Sequence, residues 1–453
     1  MTHCPISPRF MRLSLYSKII RLGLPILIGQ LGTIVVGFAD TIMVGHYSTE
    51  ALASASFVNN VFNVATFASL GFAYGLTPLV GALFSQGESR RIGSLMRNAV
   101  IANLLFALLL TAIMTAVYFN LHRLGQPEEL LPVIRPYFLI VLAGMVPVTL
   151  FNAFAQWSYA INRTRMPMWI ILATNAINIL GNYLLIYGHW GLPELGLNGA
   201  GIATLTARLT AMGAIIVIFF AQKQFRAYRE GFLSGRISGP AFRRVNATSW
   251  PVALQMSFES GSFTIAAVMS GWISATALAA FQVVVILGTL GFCIYYSIAA
   301  AVSVLVSNAA GLADRRLMRR TAAAGYVIIL IVATASSALF IFGGSTIMPL
   351  FTDDPAVIAL ALTLIVPLAL YQYGDATQIT FANALRGTSH VMPMFWISLV
   401  SYIVVGIPAT WLLAFPCGLG IYGIILSFSA SLFLAAALFL FFFLRATRRP
   451  ADR

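Results

Sequence analysis

Twelve apolar stretches of about twenty residues or more recur along this chain, each long enough to cross roughly 30 Å of hydrocarbon as a helix. They cover residues 17–43, 52–82, 94–119, 133–158, 167–188, 199–222, 246–272, 277–307, 321–348, 357–384, 392–414 and 419–444. Within lipid, backbone N–H and C=O groups must pair inside the segment, so runs of this length specify helices. The expected fold is therefore an all-α integral membrane protein of twelve transmembrane helices in two pseudo-symmetric six-helix bundles. Composition agrees: the 453 residues are 59% hydrophobic and 9% charged, where a soluble domain carries roughly a quarter charged residues.

Short punctuated loops separate the spans, such as Ser85-Gln86-Gly87-Glu88 and Thr352-Asp353-Asp354-Pro355. The longest polar connection, 223–244, is expected to be a cytoplasmic linker between an N-terminal bundle, 1–222, and a C-terminal bundle, 245–453. The first apolar run is long, and no small-residue cleavage signal follows it, so it reads as a retained helix. Cys4, Cys293 and Cys417 are too few and too scattered for a disulfide framework or a metal cluster.

The net charge is +14, which by composition alone permits nucleic-acid binding. Its distribution argues against that. With twelve spans, 24 of the 27 Lys and Arg residues fall on the side that holds both termini, only Arg123 and Arg135 on the other, and Arg208 inside the sixth span. Basic residues favour the cytoplasmic side, so both termini are expected there, in the inner membrane, and the charge serves topology.

The chain also repeats itself. Leu24-Pro25-Ile26 recurs as Trp250-Pro251-Val252, Glu50-Ala51-Leu52-Ala53 as Thr276-Ala277-Leu278-Ala279, and Met166-Pro167-Met168-Trp169 as Met392-Pro393-Met394-Phe395, all at an offset of 226 residues. Gly196-Leu197 with Gly201 answers Gly418-Leu419 with Gly423 at an offset of 222. Each half has an even number of spans, so the repeats are parallel, an arrangement that in transporters puts the substrate near the midplane between the halves.

Three of the thirteen acidic residues lie within spans: Asp40 in the first, Glu259 in the seventh and Asp375 in the tenth. An ionised carboxylate at mid-bilayer costs about 2.5 kcal/mol or more, so such a group faces a polar cavity, binds a cation or takes up a proton. Exchange of H⁺ or Na⁺ at such groups is what an antiporter of cationic substrates requires. Each also has a structural reading. Asp40 is near a helix end and suits a solvated interfacial acid, Glu259 lies among Ser257, Ser260 and Ser262, and Asp375 suits the cap of a helix break beside Gly374. Asn175, Asn178 and Asn182 share one helix face, as interhelical glue or as cation ligands. Arg208 either snorkels or pairs with a carboxylate.

These words together resemble the MATE (multidrug and toxic compound extrusion) family over nearly the whole chain. They are 37–45 (GFADTIMVG), 178–188 (NILGNYLLIYG), 199–203 (GAGIA), Phe258-Glu259, and Asp375 followed by Leu385-Arg386-Gly387. Glu259 and Asp375 in the second half resemble the NorM-like bacterial branch. Thr388-Ser389 departs from the Gly-Asp that commonly follows Leu-Arg-Gly in the family.

The resemblance implies a multidrug efflux transporter that antiports cationic or amphipathic drugs against inward H⁺ or Na⁺ by alternating access. It implies a cation-coupling set of Asp40, Asn178, Asn182 and Thr204 in the first half and Glu259, Tyr371 and Asp375 in the second. Asp40, Glu259 and Asp375 would also meet substrate. Na⁺ would sit at Glu259, Asp375 and Tyr371, or at Asp40 and Asn178. No cofactor is implied, and the partners are small-molecule drugs and the bilayer, with a monomer expected. Phe62, Phe154, Trp157, Tyr295 and Tyr296 are candidates to stack on an aromatic drug. A lipid-linked oligosaccharide flippase is the alternative, and it would favour a strongly basic cavity. An enzyme is not expected: no two of the five histidines are spaced i, i+4.

Overall fold

The computed structural model describes residues 8–125 and 127–448, with Pro8–Ser14 described by backbone alone. His3, Cys4, Arg449, Asp452 and Arg453 lie outside the described residues. The chain is helical throughout its spans: α1 Pro8–Tyr47, α2 Thr49–Ser85, α3 Ser89–Phe119, α4 Glu128–Ala160, α5 Arg165–Tyr187 and α6 Gly196–Ala221. A linker helix, Arg226–Ser234, follows. Then come α7 Gly239–Ile273, α8 Ala275–Gly311, α9 Arg315–Leu350, α10 in two pieces (Pro355–Thr363 and Ile365–Gly387), α11 Met392–Ala414 and α12 Gly420–Ala446. Among the described residues, ten of these helices are long and apolar enough to span a membrane, and the two pieces of α10, bent by 52°, make an eleventh. The remaining one, α7, is 35 residues long, ample for a span. Gln255, Glu259 and the serines around them lower its hydropathy, so its polarity marks an inward face rather than a loop.

Prolines set the breaks. A proline removes the donor for the carbonyl four residues before it and clashes with that carbonyl. Pro78, Pro147 and Pro367 each lie four residues after the last residue of a helical piece, Tyr74, Ala143 and Thr363 respectively. In α11 the same effect of Pro408 on Val404 widens the helix instead. Leu399–Gly406 is a π-helix, and the Ile407 N–H bonds to Tyr402 O. π segments of this kind often lie at functional sites.

The chain packs into two compact units, one of Ile28–Ala253 and one combining the residues up to Leu27 with those from Leu254 on. The divisions fall inside α1 and α7, two or three residues beyond the repeat-related Pro25 and Pro251, so each of these helices contributes to both units. In the first unit, Phe62 packs on Phe138, and Trp157 meets Phe219, Phe225 and Tyr228 edge-on. Phe62, Phe154 and Trp157 are all buried in this core, and Tyr295 and Tyr296 are buried in the second unit. The expectation that these five rings stack on a drug is therefore corrected: hydrophobic burial claims them for packing.

Candidate functional site

In the first unit the site is built on the close packing of α5 and α6. A Cβ on Gly199 would lie 2.4 Å from Leu185 O, so only glycine lets the helices approach this far. That approach brings Asn178 to Thr204, with the Asn178 Nδ2 donating to Thr204 Oγ1 at 3.0 Å. Asn182, one turn on, donates to Asp40 Oδ1 and lies 3.4 Å from Asn178 Oδ1. Asp40, Asn178, Asn182 and Thr204 thus form one hydrogen-bonded chain across α1, α5 and α6. Asn178 and Asn182 are buried, and the Asn182 Oδ1 has no hydrogen-bond partner. Asp40 is half-buried and paired, which sets aside its reading as a freely solvated acid. The chain ends in oxygens suited to a cation: a carboxylate, an amide carbonyl and a hydroxyl.

Arg208 sits one turn beyond Thr204 on α6. Its guanidinium folds over the break in α4, where a Cβ on Gly144 would lie 2.6 Å from Nη1. Tyr137 and Asp40 are its polar neighbours. The guanidinium thus turns onto the α4 break and lies in the electrostatic field of Asp40, with no ion pair to a carboxylate among the described residues.

In the second unit the acids come together. Asp375 is 1% exposed, and its Oδ2 has no hydrogen-bond partner. It lies eleven residues past the bend in α10, inside the continuous helix Ile365–Gly387. The capping role at a helix break is thereby corrected, because the break lies at Leu364. Glu259 of α7 interacts electrostatically with Asp375. The Gln255 Nε2 donates to Glu259 Oε2 at 2.8 Å, and Gln378 lies against the same carboxylate. Tyr371, one turn before Asp375, is half-buried with its ring 6.3 Å from that of Phe263.

Several residues of this cluster escaped the sequence reading. Gln372, Gln378 and Arg386 are all buried on α10 with Asp375. By sequence Arg386 falls with the cytoplasmic loops, but it is 4% exposed and its charge acts on Glu259. It is a buried base within the unit, which corrects the view of Arg208 as the one base in the spans. Spacing held the signal: residues 3 before, 3 after and 11 after Asp375 share its helix face. A polar residue at each is unusual in a span. Glu259 in turn has Gln255 at i−4.

The MatE family profile matches residues 25–184 and 251–412, starting at the equivalent prolines Pro25 and Pro251. A probable multidrug resistance protein NorM of Bradyrhizobium diazoefficiens is 31% identical over 438 residues, 96% of this chain and 94% of that protein. The multidrug resistance protein PmpM of Pseudomonas aeruginosa is 29% identical, covering 86% of this chain and 82% of that one. Among solved structures, a eukaryotic MATE transporter superposes with a TM-score of 0.86 at 18% identity, over 96% of this chain and 98% of that one. The VcmN transporter of Vibrio cholerae does so at 0.86 and 16%, over 96% and 97%. At such identities these structures speak to the fold, and they share its twelve-helix form. The profile, by contrast, matches both repeats over most of the chain, and together with the NorM relative it establishes that this multi-pass membrane protein belongs to the MatE family.

Proposed function

We propose that the protein is a multidrug efflux transporter of the inner membrane, with both termini cytoplasmic. It antiports cationic or amphipathic drugs out of the cell against inward H⁺ or Na⁺, and acts as a transporter rather than an enzyme. The observation that carries this reading is the pair of carboxylates on membrane-spanning helices, Glu259, half-buried, and Asp375, buried, which act electrostatically on each other. Two ionised acids cannot stay together in a low-dielectric interior without uptake of protons or a cation. A group that must take up a cation in one state and release it in another is a coupling site. The chain of Asp40, Asn178, Asn182 and Thr204 offers a second such site in the other unit. The six-helix repeats 1–222 and 245–453 would alternate access about these sites, as one monomer, with no cofactor.

The names of the relatives, multidrug resistance proteins, support drugs as the substrate class. Energetics permit the coupling: one positive charge moving inward gains about 2.3 kcal/mol per 100 mV, enough for roughly a fortyfold drug gradient. The test uses purified protein in proteoliposomes preloaded with a fluorescent lipophilic cation. Efflux is followed under an imposed Na⁺ gradient and, separately, an imposed pH gradient. Acceleration by one of them supports antiport and names the ion; indifference to both refutes it.

A further inference from the structure

The linker follows α3 to the edge of the hydrocarbon. Residues 99–119 of α3 carry no charge. At about 1.5 Å per residue they run about 30 Å, the thickness of the bilayer core. Arg97 and Asn98 therefore mark the level at which that core begins. The linker reaches this level in steps. Gly231 lies against Arg90 and Gly235 against Ser94, where added Cβ atoms would come within 2.0 Å of Arg90 O and 2.9 Å of the Ser94 Cα. Arg97 Nη1 donates to Leu233 O at 3.2 Å and to Gly235 O at 2.6 Å. Asn98 Nδ2 donates to Arg236 O at 3.3 Å, and the Ser238 N–H donates to Asn98 Oδ1 at 3.0 Å.

The segment is amphipathic at that level. Leu233 is 63% exposed and Ile237 61%, with an exposed Arg236 between them. Aliphatic side chains this open to water forgo the favourable transfer that burial gives, whereas at the membrane edge they meet acyl chains. The apolar surface continues along α3. Arg97, Ile101, Leu105 and Leu108 follow one another at helical spacing, and Leu105 and Leu108 are exposed.

Charge selects the partner. Residues 88–98 and 223–238 together hold seven basic side chains and two acids, Glu88 and Glu230. The acids pair with Arg90, Arg91 and Arg226. Among the described residues, Arg97 and Arg236 have no carboxylate partner. A guanidinium presents its N–H groups as a planar fork that fits a phosphate. Arg97 uses Nη1 on the linker carbonyls, which leaves its other N–H groups for an outside acceptor.

We propose that this part of the first unit binds an anionic phospholipid of the leaflet on the linker's side. Its phosphate lies on Arg97 and Arg236, and its acyl chains lie along Leu233, Ile237 and the exposed face of α3. Arginine and aliphatic side chains at one depth fit both parts of such a lipid, and a zwitterionic lipid lacks the net charge that these arginines attract. The site requires that α3 span the bilayer and is independent of the antiport reading. In the orientation given above, the leaflet is the cytoplasmic one.

The test follows cleavage within 223–244 by a broad-specificity protease. The full-length protein in detergent is titrated with dioleoylphosphatidylglycerol, dioleoylphosphatidylcholine or inorganic phosphate. Phosphatidylglycerol should protect the linker at a lower concentration than phosphatidylcholine, and inorganic phosphate should not protect it. Arg236→Gln, at an exposed position, should raise the phosphatidylglycerol concentration for half-protection about fivefold and leave the phosphatidylcholine series unchanged. Leu233→Ser combined with Ile237→Ser should weaken protection by both lipids. Equal protection by the two lipids overturns the proposal, as does inorganic phosphate that matches phosphatidylglycerol, or an unmoved half-protection in Arg236→Gln. The readout involves no transport, so its failure leaves antiport untouched, and a failure of antiport leaves the lipid site standing.

Discussion

Asn182 on α5 donates a side-chain hydrogen bond to Asp40 on α1 across 142 residues of sequence. The same amide approaches Asn178, and Asn178 in turn reaches Thr204, so the state of one carboxylate is felt on three helices. Asp40→Asn keeps the shape of the chain and removes its charge. Efflux of a fluorescent organic cation from intact cells should fall about tenfold or more, the effect of roughly 1.4 kcal/mol on a rate, with protein level in the membrane unchanged. Asn182→Leu should also lower efflux. It should lower melting temperature as well, because an unpaired buried acceptor costs about 1–3 kcal/mol.

Glu259 and Asp375 invite the opposite effect on stability. Glu259→Gln and Asp375→Asn each remove one charge from a mutually repelling pair, half-buried at Glu259 and buried at Asp375. The solubilised variants should melt at or above the wild-type temperature while efflux drops, a stability gain bought with function. Full efflux by Asp40→Asn, Glu259→Gln and Asp375→Asn alike would reject the assignment of these acids.

The linker helix lies against α3 with almost no gap. A Cβ on Gly93 would come within 2.0 Å of Tyr228 O, and one on Gly231 equally close to Arg90 O. No rotamer relieves a clash with backbone, so Gly93→Val should destabilise by about 1–3 kcal/mol or more. Thermal unfolding in detergent reads this directly, and protease sensitivity within 223–244 should rise in parallel.

Glu230 on the linker bonds to Arg226 at 2.7 Å and Arg90 at 3.0 Å. Those guanidiniums, Arg226 foremost, hold its carboxyl below the usual glutamate range. A depressed folded pKa contributes stability that is present above the unfolded pKa, about 4.3, and lost as pH falls through the folded value. Cleavage within the linker should therefore increase on strong acidification. The change should be small, because exposed pairs contribute little. High salt should mimic it, and Glu230→Gln should show neither response.

Much of the architecture is legible without coordinates. Span length and the repeated Pro25 and Pro251 words are local or additive properties, and they sufficed for twelve helices in two related halves. The polarity of α7 was legible too, since Gln255 and Glu259 are one turn apart. Asp40, Glu259 and Asp375 stood out because an acid in an apolar run has no cheap local explanation.

Which groups those acids meet could not be read in the same way. Asn178 reaches Thr204 only because Gly199 lets α5 and α6 close on each other. Gln378 reaches Glu259 only because α10 and α7 pack in one unit. Arg386, at the edge of an apolar run, reads as a loop cation until burial places it inside. Trp157 and Tyr295 read as drug-facing rings until their neighbours fill the space around them. By itself the sequence determined what must be helical, what must be buried in lipid and which charges are costly there, because hydropathy and backbone pairing act within a segment. The tertiary structure decided which side chains share a cluster, because those contacts depend on how closely distant helices can approach.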